Sequence, residues 1–124
     1  MRGDMEKIDI GEKFSRFAEH WRPKVIAALN GQEVKLVKFK GTFLWHSHEN
    51  EDEFFLCWRG TFHIEFRDRT VTLLPGQCLV VRHGVEHRTV ADEEVEALIF
   101  EPEATRNTGD ATDTLLTAPQ GVTI

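Results

Sequence analysis

Cysteine is scarce in this chain, with only Cys57 and Cys78 among 124 residues. They lie far apart in sequence and fit no paired-cysteine motif, so a disulfide framework is not expected and both are read as free thiols. Long apolar runs are missing as well. No stretch approaches the roughly 20 residues needed to span a bilayer, and the opening MRGDMEKIDIGEKF lacks the apolar segment of a secretory signal. Membrane insertion is therefore not expected, and the cytoplasm is the expected compartment. Positive charge is in deficit too: 15 Lys and Arg stand against 21 Asp and Glu, a formal net charge of −6. Nucleic-acid binding rests on clustered cations that neutralise phosphates, so a nucleic-acid partner is not expected.

What is present is enough for one domain. A length of 124 residues with 40% hydrophobic content supplies a single core or a closed barrel. Phe14, Phe17, Ala18 and Trp21 recur at the spacing of one helical face, which predicts a short N-terminal helix ended by Pro23. His20 falls on that helix and carries no functional signal. Further on, VIAAL and EVKLVKF flank Asn30-Gly31, a pair suited to the positive φ of a tight hairpin turn. Gly41, Gly60, Pro75 with Gly76, and Gly84 then punctuate short aromatic or β-branched runs: FHIEFR, TVTLL, CLVV, HRTV and EALIF. Many short strands at near-regular spacing predict an all-β sandwich or barrel, whose closure removes exposed sheet edges. After Phe100 the chain turns polar, and it is either a surface tail or an arm packed on a partner subunit.

The chemistry concentrates in GTFLWHSHENEDEFFLCWRG, Gly41 to Gly60. Residues two apart on an extended segment share a face, so His46 and His48 can reach one ion while Ser47 points away. The acidic run from Glu49 to Asp52 reads as a solvated turn. It is followed by a strand with Glu53 at its start, able to swing back toward the histidines. His87, in HGVEH, is a fourth donor from downstream. Imidazole with carboxylate suits one divalent transition metal per chain, and manganese, iron, cobalt, nickel and zinc all fit such a set.

Two motifs give the sequence a family resemblance. In the first, His46 and His48 are followed by Glu53 after four residues and Gly60 after six more. In the second, Gly76, Gly84 and His87 fall in register. Together they resemble the cupins, small jelly-roll β-barrels that hold one metal ion inside. The likeness runs roughly from Val34 to Glu101. It departs from the usual pattern at Gly41, four residues rather than five before His46, at Arg82 in place of a proline, and at Ala91 in place of an asparagine. None of these removes a donor. The resemblance implies an all-β, jelly-roll type β-barrel with a short N-terminal helix. It divides the single domain into an N-terminal helix and strand or arm (1–32), the barrel (33–102) and a C-terminal arm (103–124). It also implies His46, His48, Glu53 and His87 as the metal ligands and a homodimer, with VIAAL and the C-terminal arm available for strand exchange.

Three neutral imidazoles and one carboxylate would leave a divalent ion with a net charge near +1, attractive to an anionic oxygen. Six-coordination would leave two positions for a bidentate, oxygen-rich small molecule or for substrate plus dioxygen, which points to an Fe(II) dioxygenase. With zinc, carbonyl polarisation or water activation would instead suit an isomerase or lyase, such as a sugar or sugar-phosphate isomerase. A ligand-binding or sensor barrel without turnover uses the same four residues, and fold alone does not choose between these functions. Beyond the ligands, the candidates for catalysis are His83, Glu86, Arg82, Arg88 and Cys57. His83 reads first as a solvent-facing turn residue, and Arg82 and Arg88 as surface ion-pair partners. Arg59, Arg82 and Arg88 are the cations that phosphate recognition would need. Cys57 shares inward parity with Glu53 and Phe55, whereas His63 falls opposite the apolar face of Phe62, Ile64 and Phe66 and is assigned to solvent.

Overall fold

Seven strands carry the molecule: β1 Lys24–Leu29, β2 Gln32–Thr42, β3 Glu53–Arg59, β4 Phe62–Phe66, β5 Thr70–Leu73, β6 Cys78–Val81 and β7 His87–Pro102, preceded by one short helix, α1 Ile10–Phe14. The computed structural model describes residues 5–111 and 116–124. All named strand pairs are antiparallel, in the order β1-β2-β7-β3-β6, with β4 joined to β5 and β7. The result is the expected all-β, jelly-roll type barrel. Asn30 and Gly31 take φ of 51° and 77° between Leu29 and Gln32, the two-residue hairpin turn their identities predict. Among the described residues no helix is long and apolar enough to cross a membrane.

HRTV and EALIF were expected to be separate strands, but they are halves of the 16-residue β7. The charged run between them looks like a turn in sequence. In the fold it is a bulge: Gly41 and Phe39 of β2 pair with Ala91 and Val95, so one intervening residue faces three. A bulge bends the strand without ending its ladder. The first half of β7 then pairs with β4 and the second half with β3. One strand thereby serves both walls of the barrel.

The N-terminal helix is shorter and earlier than its apolar spacing predicts. Asp9 caps it, its Oδ1 accepting the Glu12 N–H at 3.1 Å, and the helix ends at Phe14. Phe17, Ala18, His20 and Trp21 are not helical, and Trp21 has a φ of 63°. Tertiary packing explains the spacing instead: Trp21 stacks on Phe39 and Phe43 with centroids 4.9 and 4.7 Å apart. His20 forms a bridge with Lys38 and places Nε2 2.7 Å from Glu94.

The interior holds Val37, Phe39, Phe55, Phe62, Ile64, Val95, Ala97 and Ile99. The described part of the C-terminal arm folds onto its own barrel. Thr105, Thr108 and Ala118 are buried, and Val25 bridges to Thr123 in a parallel pair. Gly109, at φ 57°, presses so closely on the Ser47 carbonyl that a Cβ there would collide with it. The adjacent Asp110 accepts the Ser47 N–H at 2.9 Å. Residues 112–115 of the arm lie outside the described residues.

Candidate metal centre

His46 and His87 face each other across an isolated antiparallel bridge, exchanging N–H···O bonds of 3.0 and 2.9 Å. Directly opposed residues point to the same side, so the bridge brings both rings together with centroids 4.4 Å apart. His46 and His48 were expected on a regular strand. The segment beyond β2 is held instead by this bridge and by the Gly84 N–H, which donates to the His48 carbonyl at 2.7 Å. Glu53 opens β3, where Glu53, Phe55 and Cys57 alternate inward, as their parity predicts. Asp52 turns outward to accept the His83 N–H at 2.8 Å, so the acidic run helps tie down the turn before β7.

One ligand atom from each of His46, His48, Glu53 and His87 lies within 4.8 Å of the others, and all four residues are buried. Two contacts show how tight the group is: Glu53 Oε1 stands 3.2 Å from His48 Nε2 and 3.5 Å from His87 Nε2. Donors on one ion at about 2.1 Å would be separated by about 3–4 Å, so the spacing fits a metal. Hydrogen bonding points the same way. His46 Nδ1 is 3.0 Å from the Leu44 carbonyl and His87 Nδ1 is 2.9 Å from that of Val85. An imidazole whose Nδ1–H is held by a carbonyl presents its Nε2 lone pair to the centre, the usual outer-sphere arrangement of a metal-binding histidine. His48 Nε2, His87 Nε2 and Glu53 Oε1 are buried with no hydrogen-bond partner among the described residues. Such atoms are costly unless something satisfies them, and a cation does.

Burial, reinforced by the His87 charge, lowers His46 to a pKa of about 4 and keeps it neutral. Burial also opposes charge on His48, but the Glu53 carboxylate 3.2 Å away overcomes it and raises that pKa. For Glu53, burial works against ionisation, yet the contacts with His48 and His87 hold it well below the ordinary carboxylate range.

The same motifs place the chain in a family. The model of the Cupin domain (Cupin_2) matches residues 29–101. The chain belongs to the cupin family. This cupin is 32% identical over 82 residues to YdbB of Bacillus subtilis (strain 168), an uncharacterized protein; the match covers 65% of this chain and spans 66% of that relative. Its fold is similar to a cupin-2 domain containing protein from Shewanella frigidimarina NCIMB 400, with a TM-score of 0.77 and 46% identity over 77% of this chain and 94% of the other. It is also similar to NMB1881 of Neisseria meningitidis, with a TM-score of 0.73 and 26% identity over 79% of this chain and all 100% of that one.

Beside the cage this cupin has a cavity of about 30 Å³. Trp21, Phe39, Phe43 and Phe55 form its apolar walls, and His46, Glu53, Thr89 and Glu101 bring polar atoms to it. The other sequence candidates lie elsewhere. His83 and Arg82 are exposed and both pair with Asp52 at 3.2 Å. Arg88 Nε donates to Glu65 at 2.7 Å, Arg67 does the same to Glu86, and both guanidinium groups sit over the Trp45 ring. Arg59 is exposed. His63 is on the outer face, its Nδ1 2.8 Å from Thr72 Oγ1. Cys57 does point inward, but its thiol donates to the Gly60 carbonyl at 3.2 Å, and burial pushes its pKa up. Four residues along β3 put it about 13 Å from Glu53.

Two charged residues of the interior do not stand out in the motifs. Lys35 and Glu101 are 4% and 2% exposed, and their side chains meet at 2.8 Å. Burial and the neighbouring Glu53 carboxyl push Glu101 well above the ordinary carboxylate range, against the opposing pull of Lys35. Parity carried a signal for both: Lys35 shares the inward set of Val37 and Phe39, and Glu101 that of Ala97 and Ile99.

Proposed function

We propose that this cupin is a metal-dependent enzyme, an Fe(II) dioxygenase acting on a small oxygen-rich substrate, with His46, His48, Glu53 and His87 as the ligands. One observation supports the reading above the rest: buried, unpartnered nitrogen and oxygen atoms converge beside an aromatic-walled cavity. Bound Fe(II) would supply one-electron chemistry toward dioxygen and leave positions for substrate oxygens. The protein's share is binding and exclusion of water. Leu44 and Val85 carbonyls hold two imidazole tautomers, Glu53 offsets part of the ion's charge, and Trp21, Phe39, Phe43 and Phe55 supply an apolar bed for a carbon skeleton. Elemental analysis of protein purified without added metal tests the first half. Oxygen consumption by the iron-loaded protein with a diketone and catechol panel tests the second. A native protein loaded strictly with zinc would sink the dioxygenase.

A phosphate-binding isomerase finds less support, because Arg82 and Arg88 are paired with carboxylates elsewhere and Lys35 is paired with Glu101. The assembly we propose is a homodimer. Phe54, Leu56 and Trp58 of β3 and Val80 of β6 lie on one outer face, with Trp58 and Val80 42% and 39% exposed. A contiguous apolar face of this kind is one that a second copy can cover. Light scattering that shows a monomer would refute it.

A further inference from the structure

Beyond the cage residues, the cavity has polar lining at Thr89, Asn107 and Glu101. Glu101 closes it, 2% exposed, with Oε2 accepting from Lys35 Nζ at 2.8 Å and Oε1 without a hydrogen-bond partner among the described residues. Lys35 is itself buried, and its Nζ also donates to the Thr105 carbonyl at 3.4 Å. The carboxyl is therefore anchored through Oε2, and it also stands beside the Glu53 carboxyl, to which it is electrostatically tied. A buried carboxyl in that condition costs stability, and selection for packing alone would favour an apolar residue at the end of the Ala97, Ile99 row. His46 and Glu53 line the same cavity, so a molecule seated there meets the cage on one side and Glu101 on the other. The space of about 30 Å³ admits only a small occupant.

We propose that Glu101 contacts the substrate through Oε1 and fixes a hydroxyl of a small hydroxy acid, whose carboxylate faces the cage. This rests on the metal-anchored reading of the site and adds a second point of recognition. Glu101 then selects among oxygen-rich molecules by where their second oxygen lies. A site built to hydrogen-bond a hydroxyl rejects the analogue that lacks one, because its own polar group is left unpaired. Glu53 also lies within reach of Glu101, so the rival role for Glu101 is to orient that ligand, and the two roles differ in what they do to metal affinity.

The test uses glycolate and acetate, which differ by one hydroxyl, titrated into cobalt-loaded protein and followed by visible absorption. Wild type, the single variant E101A and the double variant K35M/E101L, which removes both members of the pair together, are compared. The glycolate-to-acetate affinity ratio is expected to fall about tenfold in both variants, with cobalt affinity as in wild type. Because the ratio is compared between proteins, any chelation of the ion by glycolate cancels. An unchanged ratio in either folded variant overturns the proposal. So does a loss of cobalt affinity in both, which would make Glu101 a support for Glu53. Failure of wild type to take up cobalt, or to bind either acid when loaded, is a different result: it removes the metal-anchored reading itself.

Discussion

At the scale of single residues, the cage joins opposite tendencies. Burial drives His46 down to about 4, while Glu53 draws His48 up despite its burial. A ligating imidazole must be neutral, so an incoming ion competes with protons for His48. His48 is raised, and the competition therefore sets in above the ordinary histidine value of about 6.5. Metal affinity is expected to fall by about tenfold per pH unit below the raised value, with His46 not competing until far lower pH. Chelator competition between pH 8 and pH 5 measures this, and an affinity that stays flat across the range contradicts it. The variant H87A, which removes a donor whose Nδ1 is already held by Val85, is expected to lose stoichiometric metal in elemental analysis while keeping its circular dichroism spectrum.

At the scale of elements, β2 and β7 carry the interior charge pair and the arm closes over it. Removing one member of a buried pair strands the other, so K35M is expected to destabilise by about 3 kcal/mol, and K35M/E101L is expected to cost less, the remaining loss falling on Glu33, which Lys35 also neighbours at 3.8 Å. Urea denaturation of the two variants separates them, and equal losses would mean the pair is not the reason. Gly109 joins the arm to the His46–His48 segment at a positive φ against the Ser47 carbonyl. The variant G109A is expected to cost about 1–3 kcal/mol and to expose the C-terminal arm to limited proteolysis before the barrel. Most strands were legible in the sequence because period-two alternation survives in β3 and β4. The continuity of β7 was not, because a run of exposed acidic residues reads as a turn until β2 is seen pairing on both sides of it. The helix boundary failed for a related reason: Phe17 and Trp21 have helical spacing but pack as separate contacts on the barrel.

At the scale of the whole molecule, a barrel of this size has its core inside and a second apolar surface outside. Phe62 lies within the core cluster at 0% exposure, and F62A is expected to cost about 3–5 kcal/mol by chemical denaturation. On the outer face, W58E places a charge amid Phe54, Leu56 and Val80. It is expected to convert the proposed homodimer to monomer in light scattering without changing metal content, since Trp58 points away from the cavity. A monomeric wild type would leave that face to another partner.

By itself the sequence determined the all-β class, the hairpin at Asn30-Gly31 and the group of His46, His48, Glu53 and His87. The first two follow from local rules, alternation and turn φ, which act over a few residues, and the third from the resemblance that two separate motifs carry. Only the tertiary structure decided that the C-terminal arm returns to its own barrel, that Trp21 lines the cavity, and that Lys35 and Glu101 form a buried pair beside the cage. Those facts depend on contacts between residues as far apart as 66 and 86 positions. At such distances no periodicity relates the partners, and the packing of side chains around a shared cavity is what selects them.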